Sequence, residues 1–190
     1  APMICPSVRC SRTWRRSSGS KMGEDIPRRK SLRLKGYDYG ASGYYFVTLC
    51  TKGRECLFWQ TPVGADSIRP SPPLLTPLGQ IVDTAIQEIS NHYPGVKVDK
   101  YVIMPNHIHV ILALGPGGGR MLSAPTKPLS TVVGQMKRAS SRAAGAPLWQ
   151  RSFHDHVIRS QADYLLIWKY VDDNPARWRE DRYFPQSPSQ

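Results

Sequence analysis

The chain has 190 residues, is 40% hydrophobic and carries a formal net charge of +12. That length and apolar content suit one domain around one core, and no run of 18 or more apolar residues offers a membrane-spanning helix. The charge is uneven: residues 1–36 hold ten Lys/Arg against two acids, Glu24 and Asp25, whereas residues 37–190 hold sixteen against twelve.

The basic opening segment, residues 1–32, has little hydrophobic pattern and reads as a disordered arm. Two readings of it stand side by side. It engages phosphate backbones through counterion release, or it is a solvated tail, Met22 being able to open a shorter chain. No continuous apolar stretch follows its arginines, so no secretory signal is expected. The four cysteines, Cys5, Cys10, Cys50 and Cys56, form no CxxC pair and no zinc spacing. They are expected reduced, in a cytoplasmic protein.

The folded part begins near Leu34. Tyr44 to Thr51 is rich in aromatic and β-branched residues and predicts a first strand. Five prolines between Thr61 and Pro77 predict a loop or irregular hairpin. Leu78, Val82, Ile86 and Ile89 recur at helical spacing, and Pro94-Gly95 closes that helix near Tyr93. The stretch from Val96 to Leu114 is too long for one strand, and Pro105-Asn106 divides it. It predicts an antiparallel hairpin of Val98–Met104 and His107–Leu114. Residues 115–119 are glycine-rich, but no Lys-Ser/Thr pair follows, so they read as a linker rather than a phosphate loop.

A second helix is predicted over Leu129–Ala143, with Val132, Val133, Met136 and Ala139 on its apolar side. Phe153 to Ile158 predicts a short strand. Ser160 and Asp163 have capping-box spacing and open a third helix that runs to about Asn174, before Pro175. The order of elements defines an α+β, ferredoxin-like antiparallel sheet (βαββαβ) with two helices on one face and a further C-terminal helix. In that topology the first and third strands are central, which puts His107 and His109 on a central strand.

Alternation in a strand sends His107 and His109 to one face and Ile108 and Val110 to the other. Two imidazoles on one rigid face are spaced to grip one metal ion, and burying both unpaired would be costly. His154 and His156 repeat the spacing in a less apolar strand, where a structural or supporting role fits better. The residue two positions beyond His109 is Ile111, which argues against a histidine-triad hydrolase; no paired His-x-Thr/Ser motifs and no HExxH occur. Tyr170 and Asn174 are four apart and share a helix face. A phenol has a pKa of about 10 and needs activation before it attacks. Two imidazoles with one amide oxygen suit Mg²⁺ or Mn²⁺ and leave positions open for water and a phosphate oxygen.

The motifs together resemble the REP-associated tyrosine transposases, a branch of the single-tyrosine transposases marked by a His–hydrophobic–His signature. The likeness spans about residues 33–183, leaving 184–190 as a tail. It is carried by Arg33 to Tyr39, Gly43 to Thr51, Met104-Pro-Asn-His-Ile-His109, Trp149 to Arg159, and Asp163-Tyr164 followed by Tyr170 and Asn174-Pro175. The resemblance implies that His107 and His109 are metal ligands, Tyr170 the nucleophile and Asn174 the third ligand, a place where the wider family often has glutamine. It implies metal-assisted transesterification of single-stranded DNA at palindromic repeat hairpins, through a 5′-phosphotyrosine. It further implies a nucleoid-associated bacterial protein acting as a monomer or homodimer. Arg33, Lys35, Lys137, Arg138, Arg142 and Arg159 are the candidates for holding the DNA backbone, set against their reading as solvated charge. A hairpin-binding protein without catalysis and a relaxase-like nickase are the competing functions.

Overall fold

The structure, a computed structural model, describes residues 36–60, 74–115 and 128–185. The basic arm, with Arg33 and Lys35, lies outside the described residues, as do most of the proline-rich segment and of the glycine-rich linker. The elements are β1 (Gly43–Cys50), α1 (Pro77–Gln87), α2 (Ile89–His92), β2 (Val96–Ile103), β3 (His107–Leu114), α3 (Leu129–Ala143), β4 (His154–Ile158) and α4 (Gln161–Asp173). Four strands form one antiparallel sheet in the order β2-β3-β1-β4. This is the α+β architecture expected: β1 and β3 are central, and the two strands that follow helices are the edges.

Alternation along β1 builds both faces of the sheet. Tyr45, Val47 and Leu49 join Ile108, Val110 and Leu112 of β3 under α1 and α3, where Val82, Ile86, Val132, Val133 and Met136 close the main core. Phe46 points to the other face, where Ile111 and Ile158 meet Ile167 and Val171 of α4. The C-terminal helix therefore covers the face opposite α1 and α3.

Local chemistry sets the boundaries. Thr76 caps α1 by accepting from Gly79 N at 3.0 Å, with Pro77 in the first turn. Gly79 lets that turn approach the preceding loop, since a Cβ there would stand 2.5 Å from Phe58 O. The single helix expected to Tyr93 is two, α1 and the one-turn α2, divided at Glu88. Strand β2 starts at Val96, two residues earlier than its periodicity predicts, and a register shift between Val98 and Lys100 absorbs the extra length at Asp99. The bulged Asp99 accepts from Tyr164 Oη of α4 at 2.5 Å, which ties the edge strand to that helix.

On α3 the buried position after Met136 is Ser140 rather than Ala139, which is exposed. Ser140 is one turn beyond Met136, and its hydroxyl accepts from Trp149 Nε1 at 2.9 Å while donating to Met136 O at 2.9 Å. Ser160 caps α4 as predicted, accepting from Asp163 N at 3.1 Å. The chain does not stop at Pro175: a 3₁₀ turn over Pro175–Glu180 brings Trp178 and Tyr183 back against His107, with ring centroids 6.0 and 4.7 Å away. Among the described residues no helix is long and apolar enough to cross a membrane.

Candidate active site

His107 and His109 are 0% and 1% exposed, and their Nε2 atoms stand 3.1 Å apart. Each ring is fixed from behind. Asn106 donates through Nδ2 to Tyr183 O at 2.7 Å and to Arg54 O at 3.3 Å, so its Oδ1 is left to accept from His107 Nδ1 at 2.9 Å. That assigns the proton of His107 to Nδ1 and leaves Nε2 a bare lone pair. His109 Nδ1 lies 2.8 Å from the hydroxyl of Thr48, its direct cross-strand neighbour. A hydroxyl can accept there, so His109 Nε2 is free to present a lone pair as well.

The donor set fits a divalent cation. Two ligands about 2.1 Å from one ion at right angles stand about 3 Å apart, the separation observed. Burial pushes both imidazoles toward the neutral form that ligates. His109 is driven down to about 3, by burial first and the Arg182 charge second. His107 is lowered well below its ordinary value by burial, then by His109, Arg182 and Arg54.

Tyr170 sits on the inner side of α4. Its hydroxyl lies 3.4 Å from His109 Nε2, and its ring meets Phe46 and His109 edge-on at 6.1 and 5.3 Å. Phe46 stacks on His109 at 5.2 Å and holds the imidazole plane. The structure thus brings Tyr170, His107 and His109 together. Asn174, four residues beyond Tyr170, is 4% exposed, and its Nδ2 is buried without a hydrogen-bond partner. An orphaned buried amide is a cost of about 1–3 kcal/mol.

One acidic group was not legible in the sequence. Asp181 follows the 3₁₀ turn and places Oδ2 3.8 Å from His107 Nε2; donor atoms of His107, His109 and Asp181 all lie within 4.8 Å of one another. With His107 neutral this is no ion pair but three donors around one point. Burial raises the Asp181 carboxyl, while the Tyr183 N–H and the Arg182 charge pull it the other way.

Two guanidiniums border this group. Arg182 lies over the Tyr183 ring with Cζ 4.5 Å from the centroid, and Arg54 with Cζ at 5.3 Å. Arg54 adopts a left-handed backbone, φ 59°, a conformation that costs a non-glycine residue about 1–3 kcal/mol. Its N–H donates to Thr51 O at 3.1 Å, and the Asn106 amide holds its carbonyl.

The remaining candidates are scattered. Lys137 Nζ donates to Gln150 O, Arg151 O and Ser152 O at 2.5, 3.2 and 3.4 Å, so it fastens a loop, and burial lowers its pKa. Arg138 and Arg142 are exposed on α3, across the sheet from the histidine pair. Arg159 is exposed just after β4, beside a cleft lined by Tyr44, Ser160 and Tyr164. The second histidine pair also faces α4, since His154 and His156 stand opposite Thr48 and Phe46. His156 is paired with Asp163 at 2.9 Å.

No protein-family model matches the chain. A search of solved structures finds a REP-associated tyrosine transposase bound to a REP hairpin, with a TM-score of 0.54, 22% identity, and coverage of 77% of this chain and 73% of that one. A REP-associated tyrosine transposase of Escherichia coli is 29% identical over 105 residues, 55% of this chain and 58% of that protein. The fold is that of a REP-associated tyrosine transposase, and the sequence resembles that class. An uncharacterized protein of Haemophilus influenzae is 32% identical over 183 residues, 87% of this chain and 98% of its own length. The chain belongs to one family with that Haemophilus protein.

Proposed function

We propose that the protein is a DNA transposase that cuts and joins single-stranded DNA beside palindromic hairpins. The observation that carries the reading is the Tyr170 hydroxyl 3.4 Å from His109 Nε2, facing the converging imidazole pair. The transposase likeness in fold and sequence supports it, and the hairpin held by the structural relative indicates the kind of partner.

His107 and His109 would hold Mg²⁺ or Mn²⁺, with an oxygen from Asp181 or from Asn174. A bound ion would supply Lewis-acid charge at a phosphate oxygen. Tyr170 is the nucleophile: its oxygen bonds to phosphorus while the bond to the 3′-oxygen breaks. The phenol proton is lost and the departing 3′-oxygen gains one, so no water is consumed. A 5′-phosphotyrosine and a free 3′-hydroxyl remain, and the retained ester can be rejoined to another 3′-end. Phe46 and Val171 exclude water from the inner side of α4, and Asn106 and Thr48 keep the imidazole lone pairs aimed inward. The chain works as a monomer or homodimer in the bacterial cytoplasm, with residues 33–183 as the transposase domain.

The test is a hairpin oligonucleotide with a single-stranded flank, incubated with the protein and Mn²⁺ and run on a denaturing gel. A covalent adduct is expected, and Tyr170→Phe should reduce it at least about 1,000-fold, as loss of an essential nucleophile does. Full adduct formation by Tyr170→Phe would remove the nucleophile assignment. Tight, salt-dependent binding with no cleavage under either cation would leave a hairpin-binding protein instead.

A further inference from the structure

We propose that Arg54 and Arg182 form a guanidinium pair that grips a DNA phosphate neighbouring the reacting one. This deepens the transposase reading and rests on it for the identity of the strand. Both side chains lie against the Tyr183 ring, which itself lies 4.7 Å from His107, so the two charges border the metal-ligand group. Both residues are exposed, and among the described residues neither takes part in an ion pair. Lys100, Lys169 and Arg177 around α4 are each matched by a carboxylate at 2.6–2.8 Å. Arg159 and Arg179 also lack an ion pair, but Arg54 and Arg182 are the two that lie against the ring touching His107.

Their placement is also fixed. Arg54 is held in its left-handed conformation by the Thr51 and Asn106 contacts. The same Asn106 amide holds the carbonyl of Tyr183 and the ring of His107. One buried side chain therefore sets both arginine-bearing segments in register with a metal ligand. Arg182 spends one donor on the Tyr183 hydroxyl. The lone Asp181 carboxyl, in ion-pair contact with neither arginine, leaves two guanidinium charges that oppose a cation at the histidines unless a further anion joins them. A phosphodiester does so, because its two free oxygens match the planar donor fork of arginine. The alternatives are a free inorganic anion and simple packing of arginine on tyrosine.

The experiment uses the full chain, with a fluorescein-labelled hairpin oligonucleotide read by anisotropy in EDTA, so that binding is measured without chemistry. Arg54→Gln/Arg182→Gln should raise Kd at least about 10-fold. It should also lower the slope of log Kd against log[NaCl] by about 0.7, the value of one single-strand phosphate contact. Mn²⁺ affinity of the DNA-free variant should rise severalfold, because two repelling charges are gone. A packing role predicts the reverse: weaker Mn²⁺ binding and an unchanged salt slope, and that pair of results would overturn the clamp. Arg54→Lys keeps the charge and covers the case in which the double variant does not fold. It should weaken binding with the slope intact, and wild-type affinity in Arg54→Lys would remove the fork from the argument. Displacement of the oligonucleotide by inorganic phosphate at constant ionic strength would assign the pair to free anions and overturn the DNA role. Wild-type protein that binds but forms no adduct with Mn²⁺ defeats the catalytic reading while leaving the clamp standing.

Discussion

Two histidine pairs with the same spacing sit on the same face of this sheet, and they do different things. His107 and His109 lie on central strand β3, nearly inaccessible, with Nε2 atoms converging to 3.1 Å. His154 and His156 lie on edge strand β4, half-buried, and His156 is turned to Asp163 at 2.9 Å. Alternation guarantees only a shared face. Convergence needs a rear partner for each ring, and Asn106 and Thr48 supply it for the first pair alone. An edge strand leaves its side chains open to a neighbouring helix terminus, and Asp163 at the start of α4 takes His156.

The largest contrast between the pairs should appear in stability against pH. His109 is held down to about 3 in the folded protein, against about 6.5 in the unfolded chain. The unfolded state therefore binds the extra proton throughout that window. Stability falls as pH drops below about 6.5, by up to about 1.4 kcal/mol per pH unit for each such histidine, and the loss levels off below about 3. His107 adds in the same sense; the raised Asp181 carboxyl opposes it just above the ordinary carboxylate range. In chelator-treated protein, denaturant midpoints at pH 7 and pH 5 should differ clearly less in His109→Gln than in wild type. Equal slopes in the two proteins would mean that the imidazole pair is not held neutral by burial.

The supporting groups come next. Asn106→Ala and Thr48→Val leave both imidazoles of the proposed metal site in place but free their orientation. Loss of such partners weakens metal binding about 10–100-fold, so Mn²⁺ titration by calorimetry should register a drop of that size. Asn106→Ala should be the larger effect, because it also releases Arg54 O and Tyr183 O. An unchanged Mn²⁺ affinity in both variants would show that strand geometry alone aims the rings.

The sequence displays this division only in part. Period-2 alternation through β3 and the four-residue step from Tyr170 to Asn174 are local, and they survive into the structure: β3 is buried on both faces, and its alternate residues pack against different layers. Ser160 and Asp163 announce the start of α4 by chemistry that acts within three residues. Asp181 and Arg182 carry no such mark. Their place depends on the path after Pro175, and the contact that fixes it, Asn106 Nδ2 to Tyr183 O, joins residues 77 apart. The split of the first helix at Glu88 and the bulge at Asp99 escape periodicity too, since tertiary contacts set them: Asp99 is engaged by Tyr164 of α4.

The smallest effect sharpens the comparison from the other side. The His156–Asp163 contact is about a third exposed at both partners, and pairs of that kind contribute about 0–1 kcal/mol. Asp163 also receives His156 and Arg159 N at the first turn of α4, while its own N–H is capped by Ser160. His156→Ala should therefore loosen the start of the helix that carries Tyr170 without touching the proposed metal ligands. The expected outcome is a midpoint shift of about 1 kcal/mol or less, with Mn²⁺ affinity and adduct yield near wild type. A His156→Ala protein that loses Mn²⁺ binding would place the edge pair inside the metal site, and the distinction between central and edge histidines would fall.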